Sequence, residues 1–254
     1  MAIPAPLAFL GVDLAWGERN RTGVASLDDH GRLTASASLL RDDEIAAFVA
    51  AHVPSPLVAA VDAPLIVPNE TGRRRCEAQV TRQFARYHAG TYPSNRGMAP
   101  FRPIPRGARL AQRFGWSMDP DATPTDGAGL CLEVYPHAAM VSLFDLPRVL
   151  PYKARHGRDL SSLKGAFQSL FENMERHLQP LELEQSDRWR ELRDQVEAAT
   201  RKSQLKRVED EVDGIVCAHL AWLWVADRGS LVVHGDLANG YIVTPKPPHA
   251  LTQG

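Results

Sequence analysis

Residues 7–14 read LAFLGVDL, an apolar run interrupted by Asp13 alone and bounded by Pro6 on one side and Trp16-Gly17 on the other. Eight residues between chain breakers are too few for a buried helix, so the run reads as a buried strand ending at Asp13. Residues 22–27 and 32–40 are similar runs. Asp28-Asp29-His30-Gly31 lies between them with the composition of a hairpin turn, so the chain opens as a three-stranded antiparallel meander. Asp42-Asp43 then precedes Ile45, Phe48 and Val49 at helical spacing, with acids where a helix N-terminus favours them. The next apolar run, 56–61, ends at Asp62. A helix between two strands of this kind implies a crossover, which makes the fourth strand parallel to the first.

The remainder supplies a further strand at 130–135 carrying Glu133, and a helix near 72–87 followed by a Pro/Gly-rich loop over 90–107. Helical stretches follow at 159–178, at 183–200 and, strongly apolar, from about 208 to 227. Strand-like segments 231–234 and 241–244 flank a turn at 236–240 as a terminal hairpin. The fold class expected is α/β. One domain over 1–254 would carry an arginine-rich insertion at about 70–113 and a helical insertion at about 155–205. A chain of 254 residues, 44% hydrophobic, 7% aromatic and 23% charged, has ordinary globular composition, which excludes wholly disordered, collagen-like and coiled-coil chains.

Cys76, Cys131 and Cys217 are too few and too scattered for a disulfide framework. Met-Ala-Ile-Pro-Ala-Pro lacks a basic segment before an apolar one, so export is not expected and a reducing cytoplasm is. The apolar run from Ile215 to Ala226 is shorter than the roughly 20 residues a bilayer requires, so no membrane partner is expected.

The net charge of −1, from 29 basic and 30 acidic residues, suggests no polyanion partner. Its distribution does. Between Glu70 and Arg113 ten arginines and no lysine stand against two acids, leaving the rest of the chain at −9. Arginine's planar fork suits phosphates and base edges, and Tyr87, Tyr92 and Phe101 interleave with it as stacking on a single strand would require. Arg73, Arg74, Arg75, Arg82 and Arg86 are the expected substrate clamp on a nucleic acid. Lys153, in Tyr152-Lys153-Ala154-Arg155 after Pro151, is a further candidate for a scissile phosphate.

Asp13, Asp62, Glu133 and Asp213 fall within or at the ends of apolar segments, where an uncompensated charge is costly. Gathered at one sheet edge without cationic partners, they would repel one another unless a metal neutralised them. Oxygen donors favour Mg²⁺ or Mn²⁺ over zinc. Two such ions about 4 Å apart would hydrolyse phosphodiesters by in-line displacement. Asp210 shares a helix face with Asp213 and is the next candidate, with Glu209 competing. His88, His137 and His156 have no partner at ligand spacing. His219, Cys217, Trp222 and Trp224 read as core.

Four motifs in this order carry a resemblance: Gly11-Val12-Asp13, Val61-Asp62-Ala63-Pro64-Leu65, Glu133-Val134-Tyr135-Pro136, and the run from Glu209 to Ala218 (EDEVDGIVCA). Arg75-Cys76-Glu77 and Tyr152-Lys153 are lesser features. The chain resembles the domain-of-unknown-function family 429, described as predicted nucleases of the ribonuclease H-like fold. The resemblance implies a mixed sheet, three antiparallel strands and then parallel ones, flanked by helices, with acids at its centre. Gly214 stands where alanine is expected; it costs roughly 1 kcal/mol of helix stability and permits close approach of another backbone. Two other readings compete with a nuclease: a non-catalytic nucleic-acid-binding or partner-binding module, and an actin-like or sugar-kinase-like phosphotransferase. For the last, 13–23 makes a poor phosphate-binding hairpin, because Trp16 and Glu18 replace small residues.

Overall fold

The computed structural model describes residues 6–17, 19–125 and 127–248, so Glu18 of the 13–23 hairpin, the first five residues of the N-terminal reading and the last six residues lie outside the described residues. A five-stranded mixed sheet runs in the order β3-β2-β1-β4-β5. Its strands are β1 (Ala8–Asp13), β2 (Thr22–Leu27), β3 (Leu33–Leu39), β4 (Leu57–Val61) and β5 (Leu130–Glu133). The first three pair antiparallel, and β4 and β5 add in parallel, as expected from the crossover helix α1 (Asp42–His52). Central strands covered on both faces read as continuous apolar runs rather than alternating ones, which is why 8–12 and 57–61 were legible.

The two faces of the sheet carry separate cores. Leu10, Val12, Ala59, Val61 and Cys131 pack with α1 and with α3 (Arg106–Phe114). Phe9, Ala25, Ala60 and Leu132 pack on the other face beneath α7 (Lys202–Ala226), and this core continues into α5 (Leu160–His177) and α6 (Asp187–Ala198). Helix α7 is buried along most of its length, because it lies on β1 and β2 with α4 (Pro136–Leu143) and α6 against it. No helix among the described residues is long and apolar enough to cross a membrane. Helix α2 (Arg75–Phe84) packs on the terminal hairpin β6 (Leu231–Asp236) and β7 (Gly240–Pro245), and Val243 of β7 bridges to Val134 beyond β5.

Glycine sets the distance between α7 and the sheet. A Cβ on Gly23 would overlap the Asp210 carbonyl, one on Gly11 would overlap the Gly214 carbonyl, and one on Gly214 would lie 2.8 Å from the Gly23 carbonyl carbon. The backbone approach that Gly214 permits is therefore used, and it brings the acidic stretch of α7 onto the ends of β1 and β2.

Two local readings need correction. The 90–107 loop contains a helical turn at Ala99–Phe101 and gives way at Arg106 to α3. Helix α7 begins at Lys202 instead of near 208, because the Gln204 side chain accepts the backbone N–H groups of Thr200 and Arg201 and caps a polar first turn.

Candidate functional site

Parallel pairing places Val12 beside Val61, and the Asp62 N–H donates to the Val12 carbonyl at 2.8 Å, so Asp13 and Asp62 end adjacent strands side by side. Side chains alternate between faces. Asp13 therefore shares the face of Gly11, and Asp62 that of Ala60, which is the face covered by α7. Asp213 projects from α7 toward the same end, fully buried. Its repulsion, after burial itself, holds the Asp13 carboxyl well above the usual carboxylate range, opposed by Lys153. Burial raises Asp62 to about 7, against the pull of Lys153 and with the repulsion of Asp213. Neither Asp13 nor Asp62 makes a side-chain hydrogen bond or ion pair with a described residue.

Asp213 is held differently. The Tyr152 hydroxyl donates to one carboxylate oxygen at 2.7 Å, and the Lys153 ammonium lies 2.7 Å from the other. Burial alone would depress the Lys153 pKa, but Asp213, Tyr152, Asp13 and Glu209 together hold it well above the usual lysine range. Asp210 and Glu209 are both buried beside the cluster and share the Lys206 ammonium, at 2.5 and 2.7 Å. Burial lifts Asp210 to about 6 despite that bond. The expectation that these acids lack cationic partners is thus corrected: two lysines face five carboxylates, and the acids outnumber the cations. Its donors are all oxygen, which suits a hard divalent cation. Among the described residues, no group of three His, Cys, Asp or Glu side chains stands in ready metal-ligand geometry.

Glu133 is turned away from Asp13 and Asp213, although it borders the recess that contains Asp62 and its charge helps to raise that carboxyl. It pairs with Val61, not Asp62, and therefore points to the opposite face. There it accepts both guanidinium nitrogens of Arg74, at 2.9 and 2.5 Å, and the Leu65 N–H at 2.9 Å. Burial still leaves its pKa raised, with Arg74 opposing.

Of the five arginines expected as a substrate clamp, the fold removes Arg74 from reach and leaves Arg73, Arg75, Arg82 and Arg86 exposed. Arg74 is 3% exposed and also binds Glu77 and the Ile66 carbonyl, so no phosphate reaches it. Arg73 donates to Thr81 and to the Thr91 carbonyl, and Arg86 donates to the Tyr87 hydroxyl. Arg106 and Arg113 pair with Asp42 and Asp43, tying α3 to the start of α1. Arg75 and Arg82 are exposed on α2 and line neither recess beside the carboxylates.

The loop after α4 holds the residues missed, Arg148 and Arg158, beside the Lys153 and Arg155 that the sequence already places together. Arg148, Arg155 and Arg158 join Lys153 in a groove of about 660 Å³ that Tyr92, Tyr135 and His137 also line. Burial, then Lys153, lowers His137 to about 3, so its ring is neutral across the physiological range. A smaller recess shares Tyr92 and Tyr135 with this groove and contains Asp62, so the groove opens toward the carboxylates. On the other side, Trp16 packs edge-on against Phe101 at 5.0 Å and Arg106 donates to the Ala15 carbonyl. These contacts occupy the 13–23 hairpin, where a phosphotransferase would place its nucleotide phosphates.

Because the folded-state pKa of Asp62 is about 7 against an ordinary 3.8, its ionisation opposes folding. The cost is absent below pH about 4, grows as pH rises to about 7 and is then constant. In chelator, Asp62→Asn is therefore expected to be more thermostable than wild type at pH 8, by up to about 4 kcal/mol or roughly 10 °C, and nearly equal to it at pH 4. Paired thermal melts at the two pH values test this; equal stability at pH 8 would contradict it.

The family profile described as "Protein of unknown function (DUF429)" matches residues 11–238. No curated protein and no solved structure matches the chain.

Proposed function

Because the chain belongs to the DUF429 family, whose description assigns no activity, its chemistry has to be read from the site, and we propose that it is a metal-dependent nuclease of ribonuclease H-like architecture. It would hydrolyse phosphodiester bonds in nucleic acid. The observation that carries this reading is the pair of unpaired carboxylates, Asp13 and Asp62, ending adjacent parallel strands and facing a third, Asp213, across a space whose near cation is one lysine. Central strands bearing acids on one face beneath a long helix support the architectural part.

Asp13, Asp62 and Asp213 would hold Mg²⁺ or Mn²⁺, with Asp210 behind them. When bound, the ion neutralises charge developing on the phosphate and lowers the pKa of water toward neutrality. Tyr152 fixes Asp213 by donating to it. Lys153 is shared between the carboxylates and the groove, so an arriving phosphate offers it a second anionic partner. Neutral His137 adds no competing positive charge beside Lys153.

The test is hydrolysis of labelled DNA, RNA and hybrid oligonucleotides by chelated and then metal-restored protein. Cutting should vanish in chelator and return with Mg²⁺ or Mn²⁺. Strand binding without cutting under either ion would support the non-catalytic binding module instead, a reading favoured by the ion pair that already engages Asp213.

A further inference from the structure

Resting on that reading, we infer that the substrate is an unpaired strand lying in the groove between 88–92 and 146–158, and that the Arg73–Arg86 face takes no part in holding it. Four cations, Arg148, Lys153, Arg155 and Arg158, line this groove, and none of its described lining residues is Asp or Glu. In a chain of net charge −1, a concave surface with cations and no acids is selective for an anion. Arg148 and Arg155 are exposed and bond to no described acid, so they are available to phosphates. Arg158 donates to the Lys153 carbonyl at 2.7 Å and holds the loop that carries the lysine.

The aromatic lining narrows the choice of anion. Tyr92 is 65% exposed, the most exposed of the large hydrophobic residues, and stands where the groove meets the recess containing Asp62. Tyr135 is fixed at the same junction by donating its hydroxyl to the Gly90 carbonyl at 3.0 Å. An exposed ring beside a row of cations is a stacking platform for a base that has left its helix, and a base inside a duplex presents no face to it. The groove walls are tied by the Val149 N–H donating to the Tyr87 carbonyl at 2.9 Å, and a volume of about 660 Å³ suits a few nucleotides. A strand running over Arg148 and Arg155 with a base on Tyr92 delivers a phosphate to Lys153 at the edge of the carboxylate cluster.

Fluorescence anisotropy in chelator, with the full chain and labelled 12-mers of oligothymidylate and oligouridylate, tests this without hydrolysis. Single strands are expected to bind at least about tenfold more tightly than the corresponding duplex. Arg148→Gln/Arg155→Gln should weaken binding by about tenfold or more and reduce the salt slope by roughly 1.4. Tyr92→Ala should weaken binding by about tenfold and Tyr92→Phe should not, as stacking requires. Arg75→Gln/Arg82→Gln should bind as wild type. Equal or tighter duplex binding, unchanged affinity in the groove variants, or displacement of the strand by an equal concentration of thymidine monophosphate would each overturn the inference. Strand binding of this kind without cutting under Mn²⁺ would defeat the nuclease reading and leave the groove assignment standing. Duplex cutting that groove variants preserve would do the reverse.

Discussion

Asp13→Asn is expected to lower metal-dependent hydrolysis by at least about 10³-fold while leaving the fold intact, a loss of about 4 kcal/mol of transition-state stabilisation. Asparagine matches aspartate in shape but removes the charge, and Asp13 is the carboxylate most directly opposed to Asp213. Removing that repulsion relieves the folded state, so the inactive variant should melt no lower than wild type in chelator. The two readouts together separate a ligand from a structural residue. A variant that is inactive only because it unfolds, or one that retains a tenth of wild-type rate, would remove Asp13 from the centre of the mechanism.

Arg74→Met should cause the largest loss of stability, about 3–5 kcal/mol or roughly 10 °C in Tm. The guanidinium is the shared counter-ion of Glu133 and Glu77, both nearly inaccessible. Methionine fills a similar volume and leaves two buried carboxylates without it. Burial already raises the Glu133 carboxyl against the pull of Arg74, and without that pull it is neutralised more readily as pH falls, so the loss should be larger at pH 8 than at pH 5. The double variant Arg74→Met/Glu133→Leu should recover part of the stability, because removing both charges is far less costly than stranding one. A drop independent of pH would mean that packing, not charge, sets the role of Arg74.

The sheet was legible because its strands are apolar runs bounded by breakers, and the packing of α7 was legible in Gly214, whose missing side chain the close approach to Gly23 uses. Asp13, Asp62 and Asp213 could be nominated from the same runs. Glu133 could not be placed, because its face depends on pairing with Val61 instead of Asp62, and a one-residue difference in register reverses every side chain. The arginines misled for a related reason. The partners of the two buried arginines are distant in sequence, 59 residues from Arg74 to Glu133 and 64 from Asp42 to Arg106, so nothing local separates the arginines that the fold turns inward from those it leaves exposed. The groove loop showed the opposite pattern: Lys153 and Arg155 are neighbours in the sequence, but Arg148 and Arg158 have no helical or strand periodicity, and only the fold gathers them into one groove with that pair.

The most direct test of the account is Mn²⁺ uptake by the chelator-treated protein, followed by the loss of the signal of unbound Mn²⁺ in electron paramagnetic resonance. Saturable uptake of at least one ion per chain, weakened more than about tenfold in both Asp13→Asn and Asp62→Asn and unaltered in Arg75→Gln, is the result expected. No uptake by wild type at millimolar Mn²⁺, or identical uptake by the aspartate variants, would mean that Lys153 alone is the counter-ion of these carboxylates and that they hold no metal.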